Sequence, residues 1–242
     1  MNRENQEMWS RQMAIPGLGE EGQQRLNESR VAVLGLGGVG CPAALYLAAS
    51  GIENLVLVDG DYVQTSNLNR QILYDSQDLA KSKSHAAAAR LKHLNPDLSA
   101  EVVDRHIEER EMENILEGCD FVLDGFDRNK DRLAVNSVCM RLGIPAVHGF
   151  AQDMSGEIFC AIPEKGSCLA CAMDESFPES EVTPIIGVAT GMVGICMASA
   201  AILYLTGIGN PMAGYRLIYD LAFPGITRIV VGKNPHCTAC GP

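Results

Sequence analysis

The sequence predicts an α/β fold with a Rossmann-like, doubly wound, mainly parallel sheet. Three observations carry this. A continuous apolar run, RVAVL at residues 30–34, leads straight into the glycine loop Gly35-Leu36-Gly37-Gly38-Val39-Gly40. Predicted strands and helices then alternate as far as residue 148. Beyond that point the pattern changes to strands without intervening helices, apart from one long uncharged segment.

The elements follow in order. Residues 30–34 have the unbroken apolar character of a strand covered on both faces. Pro42 falls just inside the next helix, where a missing N–H costs nothing, and Gly51 stops it. Residues 55–58 form the second strand, ending at Asp59. A polar loop carries Ser66-Asn67-Leu68-Asn69-Arg70-Gln71. A helix begins near Lys83, with Ala87, Leu91 and Leu94 on one face, and stops at Asn95-Pro96. Strands at 100–103 and 121–124 flank a helix at 109–116, and a helix at 130–142 leads to a strand at 145–148. In the last third, 156–162 reads as a strand. Residues 216–220 and 227–231 read as a hairpin about Pro224-Gly225, extending the same sheet antiparallel. The expected organisation is one domain over 1–242, with a nucleotide-binding core at 1–165 and a C-terminal part at 166–242.

Composition bounds the function. Nineteen basic against thirty acidic residues give a net charge of −11, which disfavours a nucleic-acid partner. An apolar content of 47% excludes general disorder. Nine cysteines, an odd number, argue against a disulfide scaffold and for a reducing cytoplasm. Residues 182–215 carry no charge. Gly187, Gly191, Gly194 and Gly207 interrupt that run and no basic cluster flanks it, so a buried core helix is expected there and not a membrane span.

Four groups of residues carry chemistry. Gly35, Gly37, Gly38 and Gly40 sit between strand and helix, where backbone N–H groups reach a phosphate. Asp59 stands where a carboxylate accepts ribose hydroxyls. The bland alternative is a turn that only packs helix on strand, and the loop alone does not choose NAD or ATP. Arg70 and Lys83, with Asn67 and Gln71, suit a triphosphate, or else form a solvated loop. Asp124 and Asp127 follow the fourth strand in DGFD. A carboxylate there holds Mg²⁺ on phosphates, or Asp127 caps the next helix. Cys168-x-x-Cys171 and Cys237-x-x-Cys240 make a closed zinc site stapling the C-terminal part to the sheet. The alternatives are a redox dithiol or an iron–sulfur cluster. His85, His93, His106 and His148 show no spacing that suggests a metal site or a triad.

Taken together, GLGGVG, VDGDYVQTSNLNRQ, the helix lysine, D-x-x-D and two C-x-x-C pairs resemble the ThiF/MoeB/HesA adenylyltransferases, from Trp9-Ser-Arg-Gln12 to Cys240. The resemblance implies ATP- and Mg²⁺-dependent adenylation of the C-terminal Gly-Gly carboxylate of a small ubiquitin-fold sulfur carrier. It implies Gly38 at the phosphates, Asp59 at the ribose, and Arg70 and Lys83 on phosphate charge, supported by Asn67 and Gln71. Asp127 would hold Mg²⁺, and Arg11 would reach the partner subunit's triphosphate in a homodimer. Three departures stand out. Met8-Trp9 replaces a frequent Arg-Tyr, Arg128 follows Asp127 where Asn is usual, and residues 172–183 lack the cysteine some members use for a covalent link. Adenylation without an essential covalent cysteine, and a separate sulfur donor, are therefore expected. The competing readings are an NAD-dependent oxidoreductase and a non-catalytic zinc module that binds a nucleotide or carrier.

Overall fold

The computed structural model describes residues 7–173, 184–210, 213–223 and 225–241. Most of the cysteine-free segment at 172–183, and Pro224 of the predicted turn, lie outside them. Eight strands form one sheet in the order β3-β2-β1-β4-β5-β6-β7-β8. The parallel part contains β1 (Arg30–Leu34), β2 (Asn54–Val58), β3 (Ser99–Val103), β4 (Phe121–Asp124) and β5 (Ala146–Gln152). From β5 onward β6 (Ser155–Ala161), β7 (Tyr215–Asp220) and β8 (Gly225–Val230) pair antiparallel. This is the doubly wound sheet with an antiparallel extension that the sequence predicts.

The apolar runs are explained by two cores, one on each side of the sheet. Val31, Val33, Leu55, Leu57, Phe121 and Leu123 point to one side. There they meet α3 (Gly40–Ala49), α4 (Lys83–Leu94) and α7 (Gly187–Thr206). Ala32, Leu34, Val56, Val58 and Val122 point to the other, against α5 (Glu109–Leu116) and α6 (Asn129–Leu142). With both faces covered, a strand has no solvent side to mark with polar residues.

Some elements differ from expectation. The short α1 (Ser10–Met13) and α2 (Gly19–Glu28) precede the sheet and are not among the predicted elements. Trp9 anchors this region, buried with its indole N–H donated to the Ala49 carbonyl at 3.0 Å. Pro42 is the third residue of α3, still in the first turn, where an N–H would have no intrahelical partner to lose. Strand β5 continues four residues past His148 to form a tight hairpin with β6, with Asp153 at φ 53° in the turn. Glycine and alanine in that stretch, HGFAQ, hide the strand signal. α7 is long and apolar enough to cross a membrane by composition. It instead packs across α3 and the sheet, where Val193 and Met197 join the core.

Candidate active site

Chain order reverses between β1 and β4, so the C-terminal ends of these strands open a crevice. Backbone bonds carry the ladder beyond the strands: Gly35 N–H donates to Val58 (2.8 Å) and Gly125 N–H to Leu34 (2.7 Å). The two loops touch. Gly35 has φ +81°, and a Cβ there would lie 2.9 Å from the Gly125 carbonyl carbon. The crevice is a cavity of about 1410 Å³. It gathers Gly35, Gly37 and Gly38 with Asp59, Arg70, Gln71, Lys83 and Asp127. These residues are brought together from five segments of the chain.

Each polar group has a defined setting. Asp59 is buried, and its two carboxylate oxygens accept the N–H groups of Leu36 (2.7 Å) and Asp61 (2.8 Å). Burial raises its pKa, and the Lys83 charge opposes that rise. Lys83 is buried, with Nζ 2.8 Å from an Asp61 carboxylate oxygen. Tyr74 donates its hydroxyl to the Leu36 carbonyl at 2.9 Å and lies 3.3 Å from the Lys83 carbonyl, tying the glycine loop to the start of α4. Arg70 Nη1 donates to the Ser66 carbonyl and Asn69 Oδ1. Gln71 is buried in the lining, and its Oε1 has no hydrogen-bond partner among the described residues. A buried orphan acceptor at a cavity wall fits a site that takes a polar ligand.

Not every predicted residue faces the cavity. Asn67 is buried in a 3-10 turn, where its Oδ1 accepts the Gln64 N–H at 3.1 Å, so it shapes the loop that presents Arg70. Gly40 is a packing glycine, since a Cβ would collide with the Gly35 carbonyl. Arg11 is exposed on α1 and does not line the cavity of its own chain. Asp127 does line it and is not the helix cap: Arg128 holds the cap position of α6 with no side-chain cap bond. Arg128 itself donates Nε to Asp131 at 2.6 Å, so its charge is paired along the helix. Among the described residues, then, Arg128 is not a guanidinium partner of the Asp127 carboxylate, despite being its neighbour.

The sequence reading missed other lining residues. Thr190 on α7 is buried beside Gly38, where an added Cβ would meet its Cγ2 at 2.9 Å. Arg132 on α6 lies 4.0 Å from the centre of the Phe150 ring and donates to the Gly149 carbonyl at 2.5 Å. Glu157 and Arg216 form a two-bond pair, at 2.6 and 2.7 Å, on the β6–β7 wall. None of these has a motif. They reach the site through the late strands and α7, whose packing no local pattern reveals. Gly38→Val should crowd Thr190 and the phosphate-side backbone. ATP affinity by calorimetric titration is expected to fall by about tenfold or more, since overpacking costs about 1–3 kcal/mol.

A second cluster lies beside the Leu169 and Met173 part of the cavity wall. The Sγ atoms of Cys168, Cys171, Cys237 and Cys240 all lie within 4.8 Å of one another. Cys168–Cys237 and Cys171–Cys240 are 3.6 and 3.5 Å apart, close to the roughly 3.8 Å edge of a tetrahedron with Zn–S of about 2.3 Å. Four thiolates with no open position fit a structural zinc ion. Asn136 of α6 donates to Cys168 Sγ (3.4 Å) and accepts the Leu169 N–H (2.9 Å). Burial pushes the Cys237 thiol up, but hydrogen bonds from the backbone N–H groups of Cys240 and Ala239, together with those from the Cys168 and Cys171 side chains, bring it down to about 7. Leu169, Ala172 and Met173, beside the first pair, form part of the cavity wall.

The family model for ThiF matches residues 9–239. The chain belongs to the ThiF family. Full-length likeness to curated ThiF-family proteins agrees. The chain is 37% identical to the SAMP-activating enzyme E1 of Haloferax volcanii, over 96% of this chain and 88% of that one. It is 34% identical to the sulfur carrier protein adenylyltransferase of Thermus thermophilus, over 99% and 92%. It is 33% identical to the sulfur carrier protein ThiS adenylyltransferase of Escherichia coli, over 100% and 97%. In fold, it superposes on E. coli MccB solved with ATP at a TM-score of 0.83 and 23% identity, covering 92% of this chain and 70% of MccB.

Proposed function

We propose that this protein uses ATP to adenylate the C-terminal glycine carboxylate of a small ubiquitin-fold sulfur carrier, releasing diphosphate. The observation that carries this is the single cavity in which a glycine loop, Asp59, Arg70, Lys83 and Asp127 meet. The names of the full-length relatives support the same reading. An NAD-dependent oxidoreductase has little use for two cations and a further carboxylate there, since glycine-loop amides already hold its pyrophosphate.

The residues divide the work as follows. Backbone N–H groups at Gly35, Gly37 and Gly38 cradle phosphate oxygens, and Asp59 meets the ribose. Arg70 and Lys83 balance phosphate charge, with Gln71 as an additional polar contact. Asp127 would hold Mg²⁺, which when bound would supply Lewis-acid stabilisation of the phosphates. A carrier carboxylate oxygen then attacks the α-phosphorus, the bond to the β-phosphate oxygen breaks, and diphosphate leaves with its added charge met by the cations. No protein nucleophile is required, and no cysteine is among the described lining residues. We read this as adenylation without a covalent link on this chain, with sulfur arriving from a separate donor.

A homodimer fits the exposure of Arg11 and the uncovered apolar side chains of α7, Val188 and Ile195. In that arrangement Arg11 reaches the triphosphate of the other subunit. We treat residues 1–242 as one adenylation unit, with 166–242 its zinc-linked part, working in the cytoplasm, where cysteines held outside disulfides persist. The test is exchange of labelled pyrophosphate into ATP with Mg²⁺ and carriers ending in Gly-Gly. Carrier-dependent exchange is expected. A folded protein that binds ATP but supports no exchange with any such carrier would be a binding module instead.

A further inference from the structure

Asp124 ends β4, and His148 is its register partner in the parallel β5. Both side chains are 0% exposed, with His148 Nδ1 2.7 Å from Asp124 Oδ2. The other carboxylate oxygen, Oδ1, accepts the Phe126 N–H at 3.1 Å. His148 Nε2 has no hydrogen-bond partner among the described residues. This arrangement selects one form of the ring. An imidazolium would leave a charged N–H without an acceptor in a buried place, a costly state. The neutral Nδ1–H tautomer gives its one proton to the carboxylate and leaves only a lone pair unmatched.

Neither residue lines the cavity, whereas Asp127, three residues on, does. Between them the loop is fixed at two backbone points. Gly125 N–H donates to the Leu34 carbonyl at 2.7 Å, and Phe126 N–H donates to Asp124. The second bond exists only while the Asp124 carboxylate keeps one rotamer, and the His148 N–H holds it there. The same bond keeps the first acid of D-x-x-D turned into the protein, so that of this pair Asp127 alone faces the cavity.

We propose that His148 is a positioning residue for adenylation, aiming the Asp127 carboxylate at its divalent cation through Asp124 and the Phe126 N–H. The proposal rests on the reading of Asp127 as the Mg²⁺ ligand. A ligand whose direction is already set loses less freedom on binding, and partners that orient metal ligands typically contribute about 10–100-fold in metal affinity.

The experiment is Mn²⁺ binding to the ATP-loaded protein without carrier, followed by electron paramagnetic resonance and expressed relative to free ATP. His148→Asn keeps an N–H at the Nδ1 position, His148→Gln moves it outward by one methylene, and His148→Leu removes it. Leu and Gln variants are expected to lose about 10–100-fold in Mn²⁺ affinity, with metal-free ATP affinity unchanged, and Asn to restore most of it. Equal Mn²⁺ affinity in the wild type, Asn and Gln variants overturns the proposal, even if the Leu variant does not fold. A ¹⁵N-histidine spectrum of the wild type should show His148 neutral with its proton on Nδ1, and the opposite tautomer also overturns it. Asp127→Ala separates the two readings. Mn²⁺ binding that ignores Asp127 removes the ligand reading itself, whereas dependence on Asp127 without dependence on His148 removes only the positioning role.

Discussion

Asp127→Ala is expected to lower carrier-dependent pyrophosphate exchange by roughly 10³-fold or more, because a metal-holding carboxylate contributes several kcal/mol to a charged transition state. Its effect on folding should be small. Asp127 is exposed at the cavity and does not cap α6. Surface truncations of this kind stay within about 0.5 kcal/mol. Measuring exchange alongside calorimetric unfolding separates the two effects. An unchanged melting profile with lost exchange is the expected pair of results. Exchange close to wild type would take Asp127 out of the reaction, and a collapsed melting profile would make it structural. Lys83 is a less clean probe, because removing it also breaks its ion pair with Asp61 and takes from Asp59 a charge that opposes its burial.

The second large effect is on stability. The protein should carry about one zinc per chain, and chelation should lower its unfolding midpoint by roughly 10 °C. That figure follows from loop closure. Cys171 and Cys240 are 69 residues apart in sequence. A cross-link closing a loop of that size contributes about 4 kcal/mol in the chain-entropy description, and each kcal/mol moves a domain of this size by about 2–4 °C. Cys237→Ser should act in the same direction. Exchange activity should fall with the metal too, since Leu169 and Met173 beside the first pair line the cavity. A metal-free chain of full stability would rule out the staple, and visible absorbance from bound iron would replace zinc with a cluster.

The parts legible in sequence are those where chemistry and backbone are local. The glycine loop, Asp59 and the C-x-x-C pairs each announce themselves within a few residues, and the βαβ pattern places them. Arg70 and Lys83 needed more, because a solvated loop reads the same way until the fold shows both lining one cavity. Asn67 shows the same ambiguity: its side-chain oxygen closes a turn, and a turn-closing polar residue reads the same as a ligand-binding one in sequence. His148 was invisible. Its partner is 24 residues away and meets it only through the β4–β5 register, so no spacing within either segment could reveal the pair. Thr190, Arg132 and the Glu157–Arg216 pair share that fate, being assembled by packing across the sheet.

The sheet ends at β8, and that strand has an outer row of amide and carbonyl groups with no neighbouring strand among the described residues. Ile226 and Val230 stand exposed on it, with Arg228 between them. A chain returning from denaturant therefore offers its neighbours a template before its own assembly is complete, and aggregation competes with recovery. The guanidinium of Arg228 works against that outcome, because copies stacking edge to edge crowd like charges together. Low salt strengthens this repulsion, and dilution lowers the rate of encounter, so both favour the return of the individual chain.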